Sequence, residues 1–183
     1  MEFPTSKFAL SIKQKRLGND DIDVANTLFN TAVLLDDIEK YDLSLVAYKE
    51  ALRIRKLVLG DDNQEVADTL FCMGNVAAVV ENHNEALEYY KESIAIREAL
   101  IREDDPFANE FDDTFLFISN PSSPHPDLLS QYERLNLAFE EALPLTKLIV
   151  GSDHADICDL LTRMGGVYLK LHDWDNAIGS FMG

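Results

Sequence analysis

The chain has 183 residues, 46% of them hydrophobic, enough for a sizeable core. Its 33 acidic and 16 basic residues leave a net charge of −17, which argues against nucleic acid, bound through Lys and Arg at phosphates, and against anionic membrane surfaces. The same excess serves as a soluble, self-repelling surface or as a groove tuned for basic partners.

In chain order, the sequence matches itself at a step of 42 residues. Ala9, Leu10, Ile12 and Gly18 anticipate Ala51, Leu52, Ile54 and Gly60, so residues 1–18 read as a partial unit containing a second helix. A first full unit, 20–60, carries Val24-Ala25-Asn26-Thr27-Leu28-Phe29, which returns in the next unit, 62–101, as Val66-Ala67-Asp68-Thr69-Leu70-Phe71. Tyr48-Lys49-Glu50-Ala51 likewise returns as Tyr90-Lys91-Glu92-Ser93. A step of 91 then maps Gly60 to Gly151, Leu70 to Leu161 and Gly74 to Gly165. Since 91 is two periods plus seven, residues 102–150 form a degenerate unit with an insertion, and 152–183 a partial final one. A fixed period of this size is the mark of stacked units that each touch only their neighbours.

Each unit reads as two helices. Gly60 closes one, where a glycine takes the left-handed conformation. Asp62 with Glu65 has the spacing of a capping box, repeated as Asp20 with Asp23 and Asp153 with Asp156. A first helix over about 65–80 places Val66, Leu70, Met73, Gly74 and Ala77 on one stripe; a second over about 85–100 does so with Ala86, Tyr90, Ser93, Ile94 and Arg97. The short polar turn 81–84 makes the two antiparallel.

The insertion, about 102–127, is acidic and carries Phe107, Phe111, Phe115 and Phe117, then Pro121, Pro124 and Pro126, which forbid a normal helix through 120–126. It reads as a degenerate first helix with an inserted loop, or as a tethered segment that competes for a groove. The helical run 135–150 contains Pro144, where a kink is expected. Cys72 and Cys158 fall in apolar helical runs and read as buried, reduced thiols, which fits a reducing compartment. With no signal peptide and no 18-residue apolar stretch, a cytoplasmic protein is expected.

The small–large spacing of Met73-Gly74, Ala86, Tyr90 and Ser93-Ile94 resembles the tetratricopeptide repeat. The resemblance implies an all-α fold: a right-handed superhelical solenoid of antiparallel helix pairs. The 42-residue form, carried by Arg53-Ile54-Arg55-Lys56-Leu57-Val58-Leu59-Gly60-Asp61-Asp62, Val66-Ala67-Asp68-Thr69-Leu70 and Glu85-Ala86-Leu87, is similar to the repeats of kinesin light chains. It is also similar to those of bacterial scaffold proteins and of signalling ATPases with repeat tails. The resemblance covers 8–101 and 129–183.

In such arrays the first helices line a concave face that binds peptides. Projected onto this chain, the groove is Asn26, Phe29, Asn30, Val33 and Asp37, then Asp68, Phe71, Asn75, Ala78 and Val79, then Asp159, Thr162, Arg163, Gly166 and Lys170. Asn side chains suit a peptide backbone. Phe29 and Phe71 form an apolar floor for anchors, or pack against the next unit. No Lys stands among the groove residues of the first two units, which disfavours a carboxylate clamp, and only Arg163 and Lys170 are basic. The expected ligand is apolar or basic toward the N-terminal half.

His83, His125, His154 and His172 lack metal-site spacing, Gly165-Gly166 lies in a helix, and no catalytic constellation is found, so neither an enzyme nor a cofactor is expected. The function expected is a non-catalytic scaffold for a protein or peptide partner, in kinesin light chain-like form a motor or cargo adaptor, cytoskeleton-associated. The alternative is a regulatory or sensor segment of a larger signalling protein. The chain starts within a second helix and stops early in another. That points to a piece of a longer array or to self-association through uncapped ends.

Overall fold

The computed structural model describes residues 12–104, 126–152 and 154–182. The helix through Phe8 and Leu10, the phenylalanines and Pro121 and Pro124 of the insertion, and the Asp153 cap lie outside the described residues. After a helical stretch over 12–17, the described residues form seven further helices: α1 Ile22–Asp37, α2 Tyr41–Leu59, α3 Gln64–Val79, α4 His83–Asp104, α5 Pro126–Val150, α6 Ala155–Lys170 and α7 Trp174–Met182. No strand occurs among the described residues. The chain divides into two compact units, Met1–Tyr89 and Tyr90–Gly183.

The punctuation repeats at the sequence period, with one correction. The N-caps are Asp21 and Asn63, not Asp20 and Asp62, and the third is His154. Each accepts the amide two residues on: Asp23 N–H at 2.8 Å, Glu65 N–H at 2.8 Å and Asp156 N–H at 3.2 Å. Adjacent residues of capping type compete for that role, and the one that directs its oxygen or nitrogen at the open amide wins. Gly18, Gly60 and Gly151 end helices at φ +95°, +87° and +88°.

First helices stop differently. Glu39, Glu81 and His172 adopt φ of 59°, 61° and 58°. Lys40 N–H reaches Leu35 O, Asn82 N–H reaches Ala77 O, and Asp173 N–H reaches Tyr168 O, each at 2.8–2.9 Å. This is the Schellman closure in three copies, with a non-glycine residue in the left-handed position. The turn 81–84 is thereby shortened, since α4 already begins at His83. Helix α5 begins at Pro126, well before 135, and runs on through Pro144. Proline suits a helix start because its missing N–H has no partner there anyway.

In the first unit, α1 packs on α2 and α2 on α3. Val24, Ala25, Leu28, Ala51 and Ile54 form one core cluster; Ala32, Ala47, Tyr48, Met73 and Val76 form the next. Ser44, fully buried, donates its hydroxyl to Ala32 O at 2.9 Å, which fixes the α1–α2 approach at a small residue. In the second unit α5 packs on α6 and α6 on α7. A Cβ on Gly165 would lie 2.6 Å from two ring carbons of Phe181, so glycine is what lets α7 seat. The aromatic series Tyr48, Tyr90, Phe139 and Phe181 follows the repeat: the first three are buried and Phe181 is 49% exposed.

Candidate functional site

The expected groove residues divide between packing and solvent. Those used in packing centre on Arg55, a second-helix residue only 6% exposed. Its guanidinium donates to Asn26 Oδ1 at 2.8 Å on α1, and to Glu65 O at 3.0 Å and Thr69 Oγ1 at 2.7 Å on α3. It also lies 4.4 Å over the Phe29 ring. Burial pulls the Arg55 pKa down, and Glu65, Asp68 and Cys72 push back. A planar five-donor fork is the side chain able to tie three helices together at one point. The consequence is that Asn26 and Phe29 serve the fold. Phe29 packs against both core clusters and meets Tyr48 edge-on at 5.4 Å. One period on, Arg97 is likewise buried and donates to Ser93 Oγ at 3.1 Å.

The expected basic end is also occupied. Arg163 binds both oxygens of Glu98, at 3.0 and 2.8 Å, reaches Asp159 at 3.3 Å, and stands 5.2 Å from the Phe139 ring centre. Burial alone lowers its pKa, but the Glu98 and Asp159 carboxylates outweigh that and hold it above the ordinary value. Lys170 does not line a groove: it is 7% exposed, with its ammonium 6.0 Å from the Tyr132 ring centre. The long stem lets a lysine late in a first helix follow the apolar stripe inward. Gly166 is buried as well.

What remains toward solvent on α1 is Asn30 and Asp37, exposed, beside half-buried Val33. On α3 it is Val79, exposed, with half-buried Asp68, Phe71, Asn75 and Ala78. On α6, Asp159 and Thr162 are exposed. Asp36, next to Asp37, has its pKa raised by burial and by the Asp37 charge. The available surface of the first unit is therefore polar, apolar and anionic. Both cysteines depart from expectation in their burial: Cys72 is half-buried and Cys158 exposed, and neither forms a disulfide. Among the described residues no group of three or more His, Cys, Asp and Glu side chains is placed to hold a metal ion. None of the described helices is long and apolar enough to cross a membrane.

Sequence reasoning put Arg97 on the buried stripe but missed the role of Arg55. The signal was present: Arg55 and Arg97 hold the same register, each directly after a core isoleucine, Ile54 and Ile96.

The class of protein these features define is an all-α array of tetratricopeptide-type helix pairs. Residues 37–99 match the tetratricopeptide repeat family, whose members generally mediate protein–protein contact and are generally non-catalytic. No curated protein matches the sequence. Among solved structures the chain is similar to the crystal structure of BtubC (BKLC) from P. vanneervenii. The two are 19% identical, with a TM-score of 0.48, over 96% of this chain and 67% of that one.

Proposed function

We propose that the chain is a protein-binding scaffold that holds a peptide or partner segment on the exposed faces of α1 and α3. The observation that carries this is the division described above: Asn30, Asp37 and Val79 stand at solvent on helices whose other faces are committed to the core. Amides there match a peptide backbone, half-buried Val33 and Phe71 offer apolar seats, and Asp37 favours a cation. Arg163 is paired with Glu98 and Asp159 and Lys170 is buried, which speaks against an anion at the two basic groove positions of the second unit. The ligand class is thus apolar and basic. In its most specific form this is adaptor binding of the kinesin light chain kind in the cytoplasm, which rests on the resemblance of the 42-residue unit. It would use a peptide of opposite charge to the tryptophan-acidic cargo motifs of that family.

The test is a peptide array scored against wild type and an Asp37→Lys variant. Basic-apolar peptides should bind wild type and weaken by about tenfold in the variant, the scale of one lost charge contact. A preference for acidic peptides would sink the proposal.

A further inference from the structure

The solvent face of α2 carries a pattern that the repeat does not impose. Val46, Glu50, Arg53 and Leu57 are spaced four, three and four, which brings all four within a narrow stripe of one helix. Val46 is 66% exposed and Leu57 63%; Glu50 and Arg53 are each about half exposed. The order apolar, acidic, basic, apolar is symmetric about the midpoint between Glu50 and Arg53. If a second α2 is laid antiparallel across this midpoint, Val46 falls on Leu57 of the other copy, and Glu50 falls on Arg53. The reciprocal contacts form at the same time, as a two-fold axis requires.

The equivalent second helices lack the pattern. In α4 the corresponding positions are Glu88, Glu92, Ala95 and Ala99. An antiparallel copy there would set each carboxylate against an alanine, with no cation to meet it. In α5 they are Leu137, Glu141, Pro144 and Leu148: the apolar ends are kept and the cation is missing. Arg53 binds Glu50 at 2.9 Å and Asp20 within its own chain, so the partner's Glu50 would join or displace carboxylates that this guanidinium already holds.

We propose that this face of α2 is a homodimer contact, closed by reciprocal Glu50–Arg53 pairs between two apolar contacts of Val46 with Leu57. The contact is small, so the dimer is weak and concentration-dependent. The proposal is independent of the peptide-binding reading, which concerns α1 and α3.

Sedimentation velocity from about 1 to about 500 μM, spanning the range of weak transient contacts, tests it with charge reversals. Wild type should shift from monomer to dimer across the series. Glu50→Arg alone and Arg53→Glu alone should each weaken association by about tenfold or more, because like charges then meet at the axis. An equimolar mixture of the two variants should recover it, as should the double variant E50R/R53E, since both restore opposite charges across the contact. Far-UV circular dichroism checks that the helices persist. If one variant loses helicity, Leu57→Gln replaces it, with the same loss of dimer expected. A wild type that stays monomeric throughout overturns the proposal. So do single variants that associate like wild type, as contact through the exposed Trp174, Ile178 and Met182 of α7 would produce, and so does a mixture that fails to recover.

Discussion

Arg55 is the residue on which the first unit turns. Its fork satisfies Asn26 and Thr69 from two other helices and covers Phe29. Arg55→Leu leaves buried Thr69 and half-buried Asn26 without that donor, so it should cost about 2–4 kcal/mol in urea unfolding. Arg55→Lys keeps the charge but not the fork and should cost about 1–2 kcal/mol. A loss below about 0.5 kcal/mol for both, the range of an ordinary surface change, would show the junction to be redundant. The same network bears on mutagenesis of the proposed groove. An Asn26 variant that loses binding has first lost a charge-assisted bond that holds α1 to α2, so Asn30 and Asp37 are the informative positions. Asp36 gives a second test. Burial and Asp37 raise its pKa, so the fold favours the protonated carboxyl. Its contribution is complete below the unfolded pKa and is lost as pH rises through the folded one. Asp36→Asn should therefore raise the melting temperature at pH 7, and the gain should vanish below about pH 4, where the unfolded carboxyl also protonates. An equal gain at both pH values would assign the effect to something other than charge.

At the scale of the helix, the period made the pairs legible and left their ends blurred. The stripes Val66, Leu70, Met73, Ala77 and Ala86, Tyr90, Ser93, Ile94 are buried as their spacing requires, because core packing dominates helix formation and leaves a 3.6-residue trace. The caps slipped by one residue because Asp62 and Asn63 are both capping types and local sequence does not say which points back. His154 was hidden for another reason: histidine is not a residue one expects to cap. The half-buried and exposed cysteines show that an apolar run does not fix which face of its helix a small residue occupies. The proposed groove was readable only as a list of first-helix positions. Which of them the fold consumes depended on Arg55, Glu98 and Tyr132, residues distant in sequence whose reach no spacing encodes. The helix ends also yield a prediction. Glu81 holds φ 61° without the freedom of glycine, a conformation that strains a side chain with a Cβ. Glu81→Gly should raise stability by up to about 1 kcal/mol, whereas Gly60→Ala, at φ +87°, should lower it by about the same amount. Opposite signs in urea midpoints are the expected result; the same sign for both would exclude backbone strain as the cause.

For the whole molecule, the physics of a repeat array predicts graded stability, since each helix is held only by its immediate neighbours. α1 buries residues from Val24 to Ala32 and α3 from Val66 to Ala77, and α2 is clasped between them through Tyr48, Ile54 and Arg55. In α7, by contrast, Ala177 alone is buried; Trp174, Ile178 and Met182 face solvent, and half of Phe181 does so too. What holds α7 is the seating of Phe181 on Gly165 and the Asp173 side chain, which accepts from Asn176 N–H at 3.2 Å. Amide hydrogen exchange should accordingly be slowest in the facing turns of α1, α2 and α3 and fastest in α7, with local opening of α7 well below the global free energy. Gly165→Ala should widen the difference, because the new methyl needs the space of the Phe181 ring. The single tryptophan, Trp174, should then move to a redder fluorescence without loss of protection in α1–α3. Uniform exchange along the chain, or loss of protection in α1–α3 on Gly165→Ala, would mean that these helices unfold as one cooperative body, with nearest-neighbour packing too strong to let α7 open alone.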